Sequence, residues 1–323
     1  MTGRPLAVAC SVLAASFAFP LERAHGGDPV LVVTTATFGS TMLYSVDPNT
    51  GEVVSAVELI GTGTTGRTPL AGLARDGTGT ILGFTPSADN EFYRVDALTG
   101  RASRGGRLGL SAREGGVAVF ADGTIMGAST GSPGRLFTIN PSTGRASRGP
   151  TMSPATDISG LDVRADGLLI GLDLRGTDGP PSIRAIDPDT GETIVLADLA
   201  ATGSLDDAGG LAILDGAEKE VGYYVVSGDG AGDQAELWRF DPYTGQQSFV
   251  GVLDGVSAVS GMTALPCAAC PADLDADCQA TIFDLILLGN WIEAGDLRGD
   301  VNGDGVIDLF DFLFFFDVLE RGC

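Results

Sequence analysis

Leu43-Tyr-Ser-Val-Asp47-Pro-Asn-Thr-Gly51 recurs four more times along the chain. The copies are Phe92-Tyr-Arg-Val-Asp96-Ala-Leu-Thr-Gly100, Leu136-Phe-Thr-Ile-Asn140-Pro-Ser-Thr-Gly144, Ile183-Arg-Ala-Ile-Asp187-Pro-Asp-Thr-Gly191 and Leu237-Trp-Arg-Phe-Asp241-Pro-Tyr-Thr-Gly245. Successive Asp/Asn positions lie 49, 44, 47 and 54 residues apart. Each copy is an alternating apolar strand that meets a turn: proline presets the first turn residue and glycine takes a positive φ that closes a bulged hairpin. A second phrase precedes the last four copies: Gly72-Leu-Ala-Arg-Asp76-Gly77, Gly116-Val-Ala-Val-Phe-Ala-Asp122-Gly123, Gly160-Leu-Asp-Val-Arg-Ala-Asp166-Gly167 and Gly210-Leu-Ala-Ile-Leu-Asp215-Gly216. It predicts a strand entering an Asp-Gly turn, with a small-residue strand such as Thr80–Phe84 leaving it.

Each unit therefore has four antiparallel strands, A to D, with tight A–B and C–D turns and longer B–C and D–A loops. Four such strands repeated every 44–54 residues form the blade of a β-propeller, and the count predicts an all-β, five-bladed ring over residues 28–266. A β-sandwich or an open stack of repeats is the alternative. The ends favour the ring: the chain enters at a B-type strand, Val30–Thr35, and leaves on a lone A-type strand, Gly261–Leu265, which can complete the first blade.

The remaining composition bounds the function. Of 323 residues, 42 are acidic and 19 basic, a net charge of −23, while 44% are apolar, enough for a packed core. An acidic surface argues against nucleic acid or an anionic membrane as a partner. The single histidine, His25, falls within residues 1–26, so a chain cleaved after Gly26 has none for a Ser-His-Asp triad or His-ligated zinc; Lys219 is the single lysine. Residues 1–26 have the form of an export signal: Arg4 precedes an apolar run from Leu6 to Phe19, shorter than the ~20 residues of a membrane span. Small residues permit cleavage after Ala18 or after Gly26. The alternative is an uncleaved anchor. The expected address is secreted or cell-surface, with no transmembrane segment in the mature chain.

The longer loops of a propeller share one side, where sites are expected. Aligning blades on the strand-A glycine places Pro69, Arg113, Asp157, Asp207 and Ala258 at one equivalent position near the channel mouth, with Glu114 and Asp206 adjacent. Arg113, Glu114, Asp157, Asp206 and Asp207 are the candidate binding face for a glycan or protein ligand, against the plain alternative of a solvated polar rim. If the propeller is instead a polysaccharide-active enzyme, a glycoside hydrolase or lyase, Asp157 and Asp207 are the candidate acid/base pair. The Gly/Asp loop 228–236 matches no defined metal-ligand spacing. The Arg-Ala-Ser-Arg copies at 101–104 and 145–148 read as charge that protects outer strand edges.

Residues 267–323 differ in character, with twelve acids against two arginines. Asp300-Val-Asn302-Gly-Asp304-Gly305-Val306-Ile-Asp308-Leu-Phe-Asp311 sets side-chain oxygens at loop positions 1, 3, 5, 9 and 12, glycine at 6 and the Val306 carbonyl at 7. That is the calcium-loop pattern of an EF-hand with Asp at position 12. A hard cation takes six or more oxygens at ~2.4 Å, and a loop turned at its sixth residue aims alternate side chains inward. A second copy precedes it, with Asp273, Asp275, Asp277 and Asp284 at positions 1, 3, 5 and 12, Gln279 at 7 and Cys278 in the glycine place. A Cβ there costs of order 1–2 kcal/mol if φ is positive, so this site is expected to be the weaker. Each loop leads into an apolar helix, about 283–292 and 309–319. Phe310, Phe312, Phe314, Phe315 and Phe316 form either a partner face or an internal contact.

The tandem of loop and helix with Asp at position 12 resembles a type I dockerin. Cys270-Pro-Ala-Asp273-Leu-Asp275 and the terminal Gly322-Cys323 look like the GC-type variant found at the C-termini of exported bacterial proteins. The resemblance covers only residues 267–323. It implies two Ca2+ ions, an extracellular or cell-surface address, and a cohesin-like or envelope partner. By it Asp300, Asn302, Asp304, Asp308 and Asp311 are ligands, as are Asp273, Asp275, Asp277 and Asp284. Cys267, Cys270, Cys278 and Cys323 are an even set that admits three disulfide connectivities, with a zinc site ligated by the four thiolates as the competitor. The combined expectation is an exported, non-catalytic propeller that binds a ligand and is anchored by a calcium-dependent module. The rivals are the polysaccharide-active enzyme and a structural envelope protein.

Overall fold

The structure, a computed structural model, describes residues 29–35, 41–61, 70–85, 90–97, 100–112, 115–129, 134–174, 180–201, 205–214, 219–228, 234–265, 272, 274, 282–302 and 304–321, without the side chains of 205–208, 228, 283, 297, 320 and 321. Residues 1–26, expected from the sequence to be an export signal, and Arg113, Glu114, Asp273, Asp275, Asp277, Gln279 and all five cysteines lie outside the described residues.

The chain forms five antiparallel sheets, one per repeat. Val259–Leu265, Val30–Thr35, Met42–Val46 and Val53–Glu58 make the first blade. Ala71–Arg75, Ile81–Phe84, Glu91–Val95 and Arg101–Arg107 make the second, with the short Ile60–Gly61 added in parallel outside Arg101–Arg107. Val117–Val119, Ile125–Ser129, Arg135–Ile139 and Ala146–Thr151 follow as the third. Ile158–Val163, Leu169–Asp173, Ser182–Ile186 and Thr193–Asp198 form the fourth, and Leu205–Leu214, Val221–Gly228, Ala235–Phe240 and Gln247–Leu253 the fifth. The late strand Val259–Leu265 pairs antiparallel with Val30–Thr35, from Val30 opposite Leu265 to Thr34 opposite Gly261, so the two ends of the repeat array share the first blade.

The recurring turn has a local cause. In Asp47-Pro-Asn-Thr-Gly51 the Asp47 carboxylate accepts the Asn49 N–H at 2.7 Å, its carbonyl accepts the Gly51 N–H at 2.9 Å, and Gly51 has φ +76°. Asn140, Asp187 and Asp241 repeat the side-chain bond at 2.8–3.0 Å. The A–B turns hold one correction. In the second blade the counterpart of Gly123 and Gly167 is Gly79, at φ +82°, so Asp76-Gly77 is not the equivalent of Asp122-Gly123, and Asp76 accepts the Thr78 and Thr80 N–H groups.

The ring closes tightly at its axis. Gly72, Gly116, Gly160, Gly210 and Gly261 each lie against the inner strand of the next blade: a Cβ on Gly116 would stand 2.2 Å from Leu161 N, and one on Gly160 2.6 Å from Leu211 N. The cycle returns to its start, with Gly261 3.1 Å from Gly72 N on the same measure. At Gly72, Gly116, Gly160 and Gly210 the strands meet so closely that only hydrogen fits between them, and at Gly261 the approach is tight. The apolar core is divided likewise. Five clusters of buried side chains each fill the gap between two neighbouring blades, such as Leu31, Val33, Val225, Leu237 and Met262 between the fifth and first.

Beyond the ring, α1 (Ile282–Ala294) and α2 (Leu309–Arg321) pack through Leu288 and Phe315 with Ala272, all fully buried. A single 3-10 turn, Leu297–Gly299, stands before the second acidic loop where an EF-hand has a full helix. Among the described residues no helix is long and apolar enough to cross a membrane.

Candidate functional sites

The loop 300–311 folds on its own carboxylates. Asp300 at position 1 accepts the N–H groups of Asp304 (3.1 Å) and Gly305 (2.9 Å), and Gly305 turns the chain at φ +85°. Asp311 at position 12, in the first turn of α2, is fully buried and accepts the N–H groups of Asn302 (3.3 Å) and Asp308 (2.8 Å). The same Asp304 N–H is shared with Asn302 Oδ1 at 2.8 Å, while Asp304 accepts the Val306 N–H at 2.8 Å and Asp308 the Phe310 N–H at 2.7 Å. Each carboxylate oxygen keeps a second acceptor site after such a bond. Among the described residues no three His, Cys, Asp or Glu side chains converge as a metal-holding group in this conformation. The fit to a cation therefore rests on the oxygen-only donor set, the Gly305 turn and the buried Asp311 at a helix N-terminus. Of the first loop, Asp284 is described: it is fully buried at the start of α1 and accepts the Leu274 N–H at 2.7 Å, which parallels Asp311.

The same module divides its phenylalanines. Phe315 is buried and Phe312 packs beside it, so these two form the internal contact. Phe310 (63% exposed), Leu309, Leu313 and Phe316 face outward along α2, with Ile282 and Ile286 exposed on α1.

On the propeller, Asp157 is 5% exposed, a buried group rather than a solvated rim charge. Asp206 and Asp207 fall in a bulge of the strand Leu205–Leu214, where the register jumps between Leu205 and Gly209. The structure adds two residues beside Asp157 that sequence reasoning passed over. Asp173 pairs across the sheet with Ile158, the neighbour of Asp157, and its carboxylate lies 2.9 Å from Arg184 Nε; their side chains are 0% and 3% exposed. Arg184 Nε also donates to Ser182 Oγ at 3.1 Å. The cross-strand registers supply the signal that would have exposed this pair. The positions equivalent to Asp173 hold Thr35, Thr85, Ser129 and Val226, and those equivalent to Arg184 hold Tyr44, Tyr93, Phe137 and Trp238. Only the fourth blade carries a buried ion pair there.

A cavity of about 800 Å³ opens on the side of the A–B turns, opposite the longer loops. Arg75, Val119, Val163, Ile213 and Ala264, each three residues beyond a ring glycine, form its wall. Asp162 lies beside them and accepts the Ile213 N–H at 2.7 Å, tying the fourth blade to the fifth. At the rim Arg164 bonds Asp166 at 2.8 Å and the Pro242 carbonyl at 3.0 Å, and lies 4.3 Å over the Tyr243 ring. The hydrogen bond to Arg164 holds the Asp166 carboxyl below its usual range. Glu220 completes the latch by accepting from Tyr243 Oη (2.5 Å) and Ala165 N (2.7 Å).

No protein-family model matches the chain, and no curated protein does. Solved structures that resemble it include TolB from Acinetobacter baumannii, at 16% identity and TM-score 0.42, covering 69% of this chain and 52% of that one. Virginiamycin B lyase from Staphylococcus aureus gives 13% identity and TM-score 0.39 over 70% of this chain and 71% of the lyase. A GH43 glycoside hydrolase gives 14% identity and TM-score 0.48 over 76% of this chain and 54% of the enzyme. The chain thus spans about half the length of the TolB and GH43 structures it resembles.

Proposed function

We propose that the protein is an exported β-propeller that presents a binding face and is held at the cell surface by a calcium-loaded, dockerin-like module at residues 267–323. The observation that carries the calcium reading is the loop 300–311, whose first and last carboxylates already organise the turn from both ends. Ca2+ would be held by Asp300, Asn302, Asp304, Asp308, Asp311 and the Val306 carbonyl, and would relieve the repulsion among the four carboxylates. The first loop, with Asp273, Asp275, Asp277, Asp284 and the Gln279 carbonyl, would hold a second ion less tightly. The outward row Leu309, Phe310, Leu313 and Phe316 supports a protein partner, because a module this small exposes such a row at a cost unless something covers it.

Calcium titration of the chelator-stripped full chain, followed by calorimetry and helix signal, tests the first claim. Saturable binding with a gain in helix is expected, and Asp300→Ala with Asp311→Ala should abolish the tighter event. Unchanged binding in that variant, or none in the parent, overturns the calcium reading. Capture from the producing cell's envelope fraction should require calcium and be lost in Leu313→Glu with Phe316→Glu; capture indifferent to both refutes docking through α2.

The enzyme reading is supported by the burial of Asp157 beside Asp173 and Arg184, since carboxylates held out of water are those available for acid/base work. Turnover of a polysaccharide by the parent, lost in Asp157→Asn with Asp207→Asn, would establish it. No turnover in the parent removes it for the substrates tried.

A further inference from the structure

We propose that the seam between the outer strands of the second and third blades, Arg101–Arg107 and Ala146–Thr151, is a binding surface for an acidic polysaccharide. Charge distribution is the first ground. Residues 91–151 carry eight arginines against four acids, within a chain whose net charge is −23. The structure brings five of these arginines to the seam. Gly106 and Gly144 touch across the seam, where a Cβ on Gly144 would lie 2.9 Å from Gly106 Cα, so the residues that follow them, Arg107 and Arg145, flank the contact. Arg94 reaches across from the second blade to the Pro141 carbonyl of the third. Arg104 and Arg148 stand on the same two strands, each opposite the third strand of its own sheet. Glu91 bonds Arg104 at 2.8 Å and lies 4.0 Å from Arg107, which leaves the seam as a whole cationic.

Edge protection alone does not explain this placement. The outer strands Val53–Glu58, Thr193–Asp198 and Gln247–Leu253 carry no arginine or lysine, and they expose Ile194, Val195, Phe249 and Val252. Three of five blades therefore dispense with basic edge charge. The acids elsewhere on the ring would repel a polyanion and confine it to this strip.

The ligand class follows from what stands between the arginines. Phe92, Tyr93 and Phe137 are buried, so among the described residues the seam offers no exposed ring on which a base could stack. The exposed groups between arginines are the hydroxyls of Ser103 and Ser147. Guanidinium groups with hydroxyls suit carboxylate- or sulfate-bearing sugars, which offer anions and many hydroxyls but no flat aromatic face.

The test is retention of the calcium-replete full chain on immobilised polygalacturonate and dextran sulfate across a salt gradient. Retention at low salt is expected to fall steeply as salt rises. Arg104→Ser, Arg107→Ser, Arg145→Ser and Arg148→Ser together should weaken binding about tenfold or more. Lys219→Ser with Arg239→Ser, outside the seam, should leave it unchanged. If the fourfold variant melts early, Arg145→Ser with Arg148→Ser, which spares the Glu91 pairing, should still shift elution to lower salt. No retention at low salt, or retention that survives loss of the seam arginines, overturns the proposal. Competition by duplex DNA as strong as by polygalacturonate would overturn the sugar assignment.

Discussion

At the scale of single residues, the instructive pair is Asp173 and Arg184. Four blades fill the two equivalent sites with a neutral side chain and an aromatic ring, whereas the fourth uses a buried carboxylate and guanidinium 2.9 Å apart. Desolvating both charges offsets much of their attraction, but removing one leaves the other buried and uncompensated. Asp173→Ala is therefore expected to destabilise the protein by about 3–5 kcal/mol in denaturant unfolding. Asp173→Ser with Arg184→Phe copies Ser129 and Phe137 of the third blade, where the facing glycine is Gly127 as it is Gly171 here. That double variant should recover most of the loss. A double variant as unstable as the single would show that other groups in the fourth blade depend on the pair's charge.

At the scale of elements, the inner strands are specified by their glycines more than by their apolar residues. A Cβ on Gly116 would stand 2.2 Å from both Leu161 N and Leu161 Cβ, and backbone cannot step aside as a side chain can. Gly123, only seven residues on, has φ +83° and nothing within 4 Å of its added Cβ. Gly123→Ala should cost about 1–2 kcal/mol of local backbone strain. Gly116→Ala should cost more, because separating two inner strands disturbs the packing on both sides of the third blade. Thermal melts of the two variants side by side decide it, and equal losses would mean that the axis has room to spare. The outer strands follow another rule. Many of their side chains are exposed, which allows two blades to carry arginine there and another to expose Phe249 and Val252.

At the scale of the molecule, closure is the feature that holds the ring. Val259–Leu265 supplies the inner strand of the first blade, is buried along its whole length and touches the inner strands of its neighbours. Without it Val30–Thr35 would present an open edge and the cluster around Leu31, Val33 and Met262 would lose one wall. Replacing Gly261 and Met262 with aspartate is expected to abolish cooperative unfolding of the propeller. The helix signal from α1 and α2 should persist in calcium, since their core of Ala272, Leu288 and Phe315 is their own. Joint loss of both signals would show that the module depends on a closed ring.

The sequence alone determined five blades, their strand order and the partnership of the two ends of the repeat array. The reason is that turn chemistry is local: an Asp or Asn whose side chain caps its own turn, with glycine at positive φ four residues later, acts the same wherever the turn sits. The acidic loop was legible on the same ground, because its position 1 and position 12 carboxylates lie within one twelve-residue turn. What required tertiary structure were contacts between blades. The glycine ring was visible as an alignment, but not as backbones meeting at an axis. Asp157 looked like a rim charge until the sheet buried it beside Asp173. The arginines of 101–107 and 145–148 are about forty residues apart in sequence. They are brought side by side only because Gly106, on the outer strand of the second blade, meets Gly144 in the turn that leads into the outer strand of the third.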